Sequence, residues 1–183
     1  MTAAAQGWPA ELLHFWFHRL TPRQWFGSGP EVDAELRRRF ARELAMLARR
    51  PPADFLRDPL VARAAVLLFD QVPRNIHRGS AAAFAHDRLA RAIVHGARRK
   101  GWDRGLPRPT RQFLYMPLMH SEGLADQRLS LRLFAGLGEF NLGFARSHHR
   151  MIARFGRFPH RNAVLGRRSS AAERRAVAQG NAW

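Results

Sequence analysis

Residues 123–137, GLADQRLSLRLFAGL, decide the fold class. Projected at about 100° per residue, Leu124, Leu129, Leu131, Leu133 and Leu137 with Phe134 cover one broad arc, while Arg128 and Arg132 fall outside it. The spacing predicts an amphipathic helix. Asp126, Gln127 and Ser130 fall inside the apolar arc, where a carboxylate and an amide are costly to bury without partners. A polar interior is therefore expected, serving either as internal bracing or as a pocket wall.

The next stretch repeats the pattern. Over residues 139–155, Phe140, Phe144, Ile152 and Phe155 share a helical face with His148, and His149 and Arg150 point elsewhere. Gly156 supplies a left-handed stop. The turn RFPHRNAVLGR then carries Arg157, His160, Arg161, Asn162 and Arg167 between the anchors Phe158 and Val164-Leu165. A similar phrase occurs at 70–79, DQVPRNIHRG, in which Pro73 is followed by Arg74-Asn75 and Arg78. Ser170-Ala171-Ala172-Glu173 reads as a capping box opening a final short helix, and 177–183 reads as a frayed polar tail.

Toward the amino terminus, Pro9 opens an aromatic helix over 9–19, and Trp25-Phe26 follows a turn. Pro30 opens a helix carrying Val32, Leu36, Phe40, Leu44 and Leu47 at helical spacing, closed by Pro51-Pro52. Asp58-Pro59 signals an N-cap and first position. Pro73 predicts that this helix ends near Gln71, which would leave Asp70 at a C-terminus where the dipole opposes a negative charge. Ser80 is read as the cap of a helix closed by Gly96, with Phe84, Leu89, Ile93 and Val94 as its apolar side. Residues 98–110 read as an internal loop, and Thr110 as the cap of a helix kinked at Pro117 that delivers His120, Ser121 and Glu122 to a turn. No alternating β-branched segment appears. Seven to nine helices with short links imply one all-α domain over 1–183, built from antiparallel hairpins.

The composition carries one outlier, a net charge of +17 and a pI near 11.9. Thirty of the 31 basic residues are arginine, Lys100 being the one lysine. Such a charge attracts polyanions, and nonspecific nucleic-acid binding is expected from it. The short arginine clusters are scattered over different segments, which argues against a dedicated basic tail. With no cysteine, disulfides and thiolate metal sites are excluded. No secretory leader is evident in MTAAAQGWPAELLHFWFHRL and no apolar run reaches bilayer length, so a cytoplasmic protein without a membrane anchor is expected.

The chemistry lies in the two arginine turns and the polar groups near them. Asp70, Gln71, Arg74, Asn75 and Arg78 with Glu122, Gln127, Arg157, Arg161, Asn162 and Arg167 would line a site for a small anionic ligand, because guanidinium forks match carboxylate and phosphate. His120, His148 and His160 are the acid–base candidates, with Asp126 beside them. No HExxH or other metal spacing is present, no metal ligands are assigned, and no motif names a cofactor or a reaction. The rival reading is a helical interaction module gripping an acidic peptide or nucleic acid on a basic surface.

At these residues the sequence resembles the bacterial family catalogued as domain of unknown function nine-two-four. The resemblance covers most of the chain. It runs from Phe15-Trp16-Phe17 and Trp25-Phe26 through Asp70-Gln71-x-Pro73-Arg74-Asn75-x-x-Arg78-Gly79, Phe84 and Asp87. It continues through Phe113-x-Tyr115-Met116-Pro117-x-x-His120-Ser121-Glu122 and Asp126-Gln127, and closes with His148, Arg154 to Asn162, Leu165-Gly166-Arg167 and Glu173. It implies a tetratricopeptide-like α-α superhelix and brings no reaction with it. Members of the family usually continue with a leucine- and phenylalanine-bearing helix, whereas VAQGNAW here is polar and short.

Overall fold

The computed structural model describes residues 4–180, with the side chains of 4–6 left out. The chain is all-helical, with nine α-helices and no strand among the described residues. It divides into two compact units: Met1–Arg78 with Ala82–Gly105, and Gly79–Ala81 with Leu106–Trp183.

The first unit holds α1 (Ala4–His14), α2 (Pro22–Gly27), α3 (Pro30–Leu47), α4 (Pro59–Ile76) and α5 (Asp87–Arg99). Helix α4 is its centre and packs against α1, α3 and α5. A helix apolar all round belongs inside, and from Ala62 to Phe69 only Arg63 escapes full burial. Each of Leu67, Leu68 and Phe69 contributes about 1.5–3 kcal/mol by leaving water. The start of α4 follows the sequence reading: Asp58 accepts from the Leu60 and Val61 N–H groups at 2.7 and 2.9 Å. Its end does not. The helix runs through Pro73 to Ile76, so Asp70 is interior and no helix-end dipole acts on it.

Other boundaries move for comparable reasons. Pro9 lies inside α1, which continues as a π-helical turn over Phe15–Arg19 that buries Phe15 and Trp16. Residues Ala81–Phe84 form a separate 3₁₀ turn, and α5 runs straight through Gly96. That glycine is no cap. A Cβ there would lie 2.2 Å from Leu56 Cδ1, so the residue permits close packing of α5 on the 52–55 turn.

The second unit holds α6 (Arg108–Met119), α7 (Leu124–Ala135), α8 (Glu139–Phe155) and α9 (Ala171–Ala178). Helix α6 begins after Pro107, leaving Thr110 inside it, and passes through Pro117. Consecutive helices pack together, α6 on α7 and α7 on α8. Helix α8 matches its expected bounds, and Gly156 ends it at φ 68°. The apolar face of α8 is only partly covered. Met151 and Ile152 pack with Phe158 and Ala176, while Phe140 and Phe144 are 76% and 42% exposed. Helix α9 ends at Ala178, and 181–183 of the expected frayed tail lie outside the described residues. No helix among the described residues is long and apolar enough to cross a membrane.

Candidate functional site

The expected site residues divide between the units. In the second unit they converge on the ring of Phe158, which is fully buried. Four elements supply them: the end of α6, the first turn of α7, the middle of α8 and the turn after α8.

His120 caps α6, its N–H donating to Met116 O at 2.9 Å. Ser121 Oγ donates to Asp126 Oδ2 at 2.8 Å and accepts from Gly123 N–H at 3.0 Å, which fixes the corner between α6 and α7. Gln127, fully buried, donates from Nε2 to Met119 O at 2.6 Å and Ser121 O at 2.7 Å. Carbonyls at a helix C-terminus lack intrahelical partners, so the inward amide of α7 completes the end of α6. Ser130, one turn further along, is also fully buried, as the arc drawn from 123–137 requires. Asp126 is half-buried.

The turn 157–167 is tied down by two ion pairs. Glu122 accepts both arms of the Arg167 guanidinium, at 2.8 and 2.9 Å, and the Phe158 N–H at 2.8 Å. Burial alone would raise the proton affinity of Glu122; the donors from Arg167 and Phe158 outweigh it and hold the carboxyl below its ordinary range. Glu173 accepts from Arg157 at 2.7 and 3.0 Å and from Asn162 Nδ2 at 3.4 Å. It also completes the capping box of α9, accepting from Ser170 N–H at 2.7 Å while Ser170 Oγ accepts from Glu173 N–H at 3.2 Å. The Arg157 hydrogen bond, then that of Ser170, lowers the Glu173 pKa to about 2.

Inside this frame, the Arg161 guanidinium lies 4.4 Å above the Phe158 ring centre and donates to His120 O at 3.1 Å. The rings of His148 and His160 stand 5.5 and 5.7 Å from Phe158, and His120 stands 6.1 Å from His148. His148 Nδ1 lies 2.9 Å from Phe144 O. A carbonyl only accepts, so Nδ1 carries the proton and the neutral ring keeps its lone pair on Nε2. Burial, with help from the charges of the neighbouring groups, lowers the His148 pKa to about 3. Burial and the Arg161 charge lower that of His160 to about 4. Both rings are neutral at pH 7 and sit in a positive local potential.

The first-unit set has a different character. Asp70 is fully buried, accepting from Gln71 Nε2 at 2.6 Å with Arg74 Nη1 at 3.2 Å. Arg74 forks onto Asp87 at 2.9 and 3.0 Å and lies 5.5 Å over Phe84. Burial opposes the charge on Arg74; Asp70 and Asp87 more than offset it and raise its pKa. Arg78 binds Asp33 at 2.8 and 2.9 Å, and its Nη2 reaches Asn75 Oδ1, which also accepts from Ser28 Oγ. Ser28 and Asp33 lie 50 and 45 residues before Arg78, and no local pattern in the sequence pairs them with it.

The class is thus an all-helical protein whose interior carries hydrogen-bonded acids, amides, imidazoles and guanidinium groups. The model of the family described as bacterial protein of unknown function (DUF924) matches residues 12–181, and the chain belongs to that family. Among solved structures it is similar to the protein of unknown function ATU0120 from Agrobacterium tumefaciens. The two share 35% identity and a TM-score of 0.90 over 98% of this chain and 100% of that one. No curated protein gives a match.

Proposed function

We propose that the cluster around Phe158 binds a small anionic ligand, a carboxylate or a phosphate, with Arg161 as its anchor. One observation carries the reading: a buried guanidinium and two imidazoles held neutral share the surface of a single aromatic ring. Guanidinium presents a planar fork suited to either anion. Glu122 and Arg167, and Arg157 with Asn162 and Glu173, hold the wall on which Arg161 stands, and Gln127 and Asp126 hold the adjoining corner. The first-unit residues Asp70, Gln71, Arg74, Asn75 and Arg78 brace their own unit in this reading.

The chemistry such a site supports is proton transfer. Burial, with the positive potential of Arg161 beside it, keeps His148 and His160 unprotonated and weakly basic. A bound anion offsets that potential, raises both proton affinities, and brings the imidazoles toward the range where a general acid or base works. Binding is therefore linked to proton uptake, and affinity rises as pH falls.

The test is calorimetric titration of the full chain with inorganic phosphate and with malonate at pH 6 and pH 7.5. Saturable binding is expected, tighter at pH 6, with protons taken up in buffers of different ionisation enthalpy. Arg161→Lys keeps the charge and loses the fork, and should weaken binding about tenfold or more. Absence of saturable heat with either anion, or an Arg161→Lys protein that binds as tightly, contradicts the proposal.

A further inference from the structure

Helix α5 carries a surface that the candidate site does not use. At about 100° per residue, Arg88, Arg91, His95 and Arg99 fall within one arc of about 80°. Ala90, Ile93, Val94 and Ala97 take the opposite, buried side. The stripe continues beyond the helix through Lys100 and Arg104, with half-buried Trp102 between them and the Lys100 ammonium 5.0 Å from the indole centre. Arg88, Arg99, Lys100 and Arg104 are exposed, and none pairs with a carboxylate among the described residues. The two acids in the stretch are engaged, Asp87 by Arg74 at 2.9 Å and Asp103 by Arg98 at 3.6 Å. Elsewhere in the first unit arginines meet acids directly, as Arg38 and Arg39 meet Glu35 and Arg78 meets Asp33.

We infer that this single-signed stripe is a docking surface for the phosphate backbone of single-stranded nucleic acid. Three features select that occupant. From Arg88 to Arg99 the stripe extends about 16 Å, at ~1.5 Å per residue, long enough to follow several successive phosphates rather than one anion. Its charge is carried by arginine forks and one lysine, the side chains that bind phosphate oxygens. Trp102 adds an aromatic face of the kind on which unpaired bases stack, an element that an acidic peptide does not require. The whole-chain net charge of +17 draws the strand in but does not place it.

Fluorescence anisotropy on the full chain with labelled oligodeoxythymidylate of about 20 nucleotides tests this, across a range of salt. Four phosphate contacts predict a slope of log affinity against log salt near −3, at ~0.7 per contact for single strands. The triple variant Arg88→Glu/Arg99→Glu/Arg104→Glu should lose about tenfold or more and flatten the slope by about 2. Arg128→Glu/Arg132→Glu/Arg150→Glu, the same charge change on exposed positions of the second unit, should lose less than about threefold. The single substitution Arg99→Gln gives the same reading if the triple variant fails to fold. Equal losses in both triple variants would reduce the surface to diffuse net charge and overturn the inference. So would polyglutamate or phosphatidylserine vesicles competing as well as the oligonucleotide at equal charge.

Discussion

Two turns of this molecule share a phrase, proline followed by Arg-Asn and another arginine, and they use it differently. At Pro73 the helix continues. A proline inside a helix removes one ladder bond and pushes back the carbonyl four residues earlier, at a cost of about 3 kcal/mol. Arg74 Nη1 donates to Asp70 O at 2.5 Å and Asn75 Nδ2 to Gln71 O at 3.0 Å, so the residues after the proline return side-chain donors to the carbonyls one turn back. At Pro159 the helix has already ended at Gly156, and the same residue types reach outward. Arg161 donates to His120 O, 41 positions away, and Asn162 reaches Ser169 and Glu173. The first phrase turns its donors back onto its own helix. The second joins separate elements around Phe158, and that is why the proposed site is placed there.

The comparison breaks most visibly at Arg74. Arg74→Ala removes an ion-pair partner from the fully buried Asp70 and should destabilise the full chain by about 3–5 kcal/mol, read by urea unfolding. An effect below about 1 kcal/mol would show that the phrase at Pro73 braces nothing.

Acid sensitivity separates the two regions next. A buried neutral histidine whose folded pKa lies below the ordinary 6.5 contributes stability that is full above that value and is lost as pH falls toward the folded value of about 3. For His148 the loss is about 1.4 kcal/mol per pH unit once below 6.5, and His160 adds to it in the same direction. His148→Gln should flatten the unfolding free energy between pH 6 and pH 4.

Smaller effects sharpen the contrast. Asn75→Ala and Asn162→Ala should each cost about 1–2 kcal/mol by thermal unfolding. Asn162→Ala should also weaken anion binding through the turn, and Asn75→Ala should leave it unchanged. Ser170→Ala removes one half of the capping box, costs about 1 kcal/mol, and should leave binding within twofold.

Much of this was legible in the residues. The α3 and α8 spans, the Asp58 cap, the Ser170 box and the left-handed Gly156 follow from local chemistry and stand in the structure. The inward Gln127 and Ser130 followed from one helical projection. The helix end expected near Gln71 fails because a proline penalty of about 3 kcal/mol is a local rule. Burial of Val72, Pro73, Asn75 and Ile76 outweighs it. Phe140 and Phe144 share the apolar face of His148 yet stand exposed, because periodicity shows that a face is apolar, not what covers it. The basic arc of α5 was hidden because arginine clusters were compared along the chain instead of around a helix. Partners such as Asp33 and Arg78 are set by tertiary packing and leave no trace in spacing.

Histidine ring resonances followed by NMR from pH 7.5 down to about pH 2.5, with and without saturating phosphate, test the central claim most directly. The account predicts that phosphate raises the midpoints of His148 and His160 by about a unit or more and leaves that of His86, in the first unit, in place. Midpoints that stay put, or that shift equally for all histidines, would contradict an anion seated on Arg161.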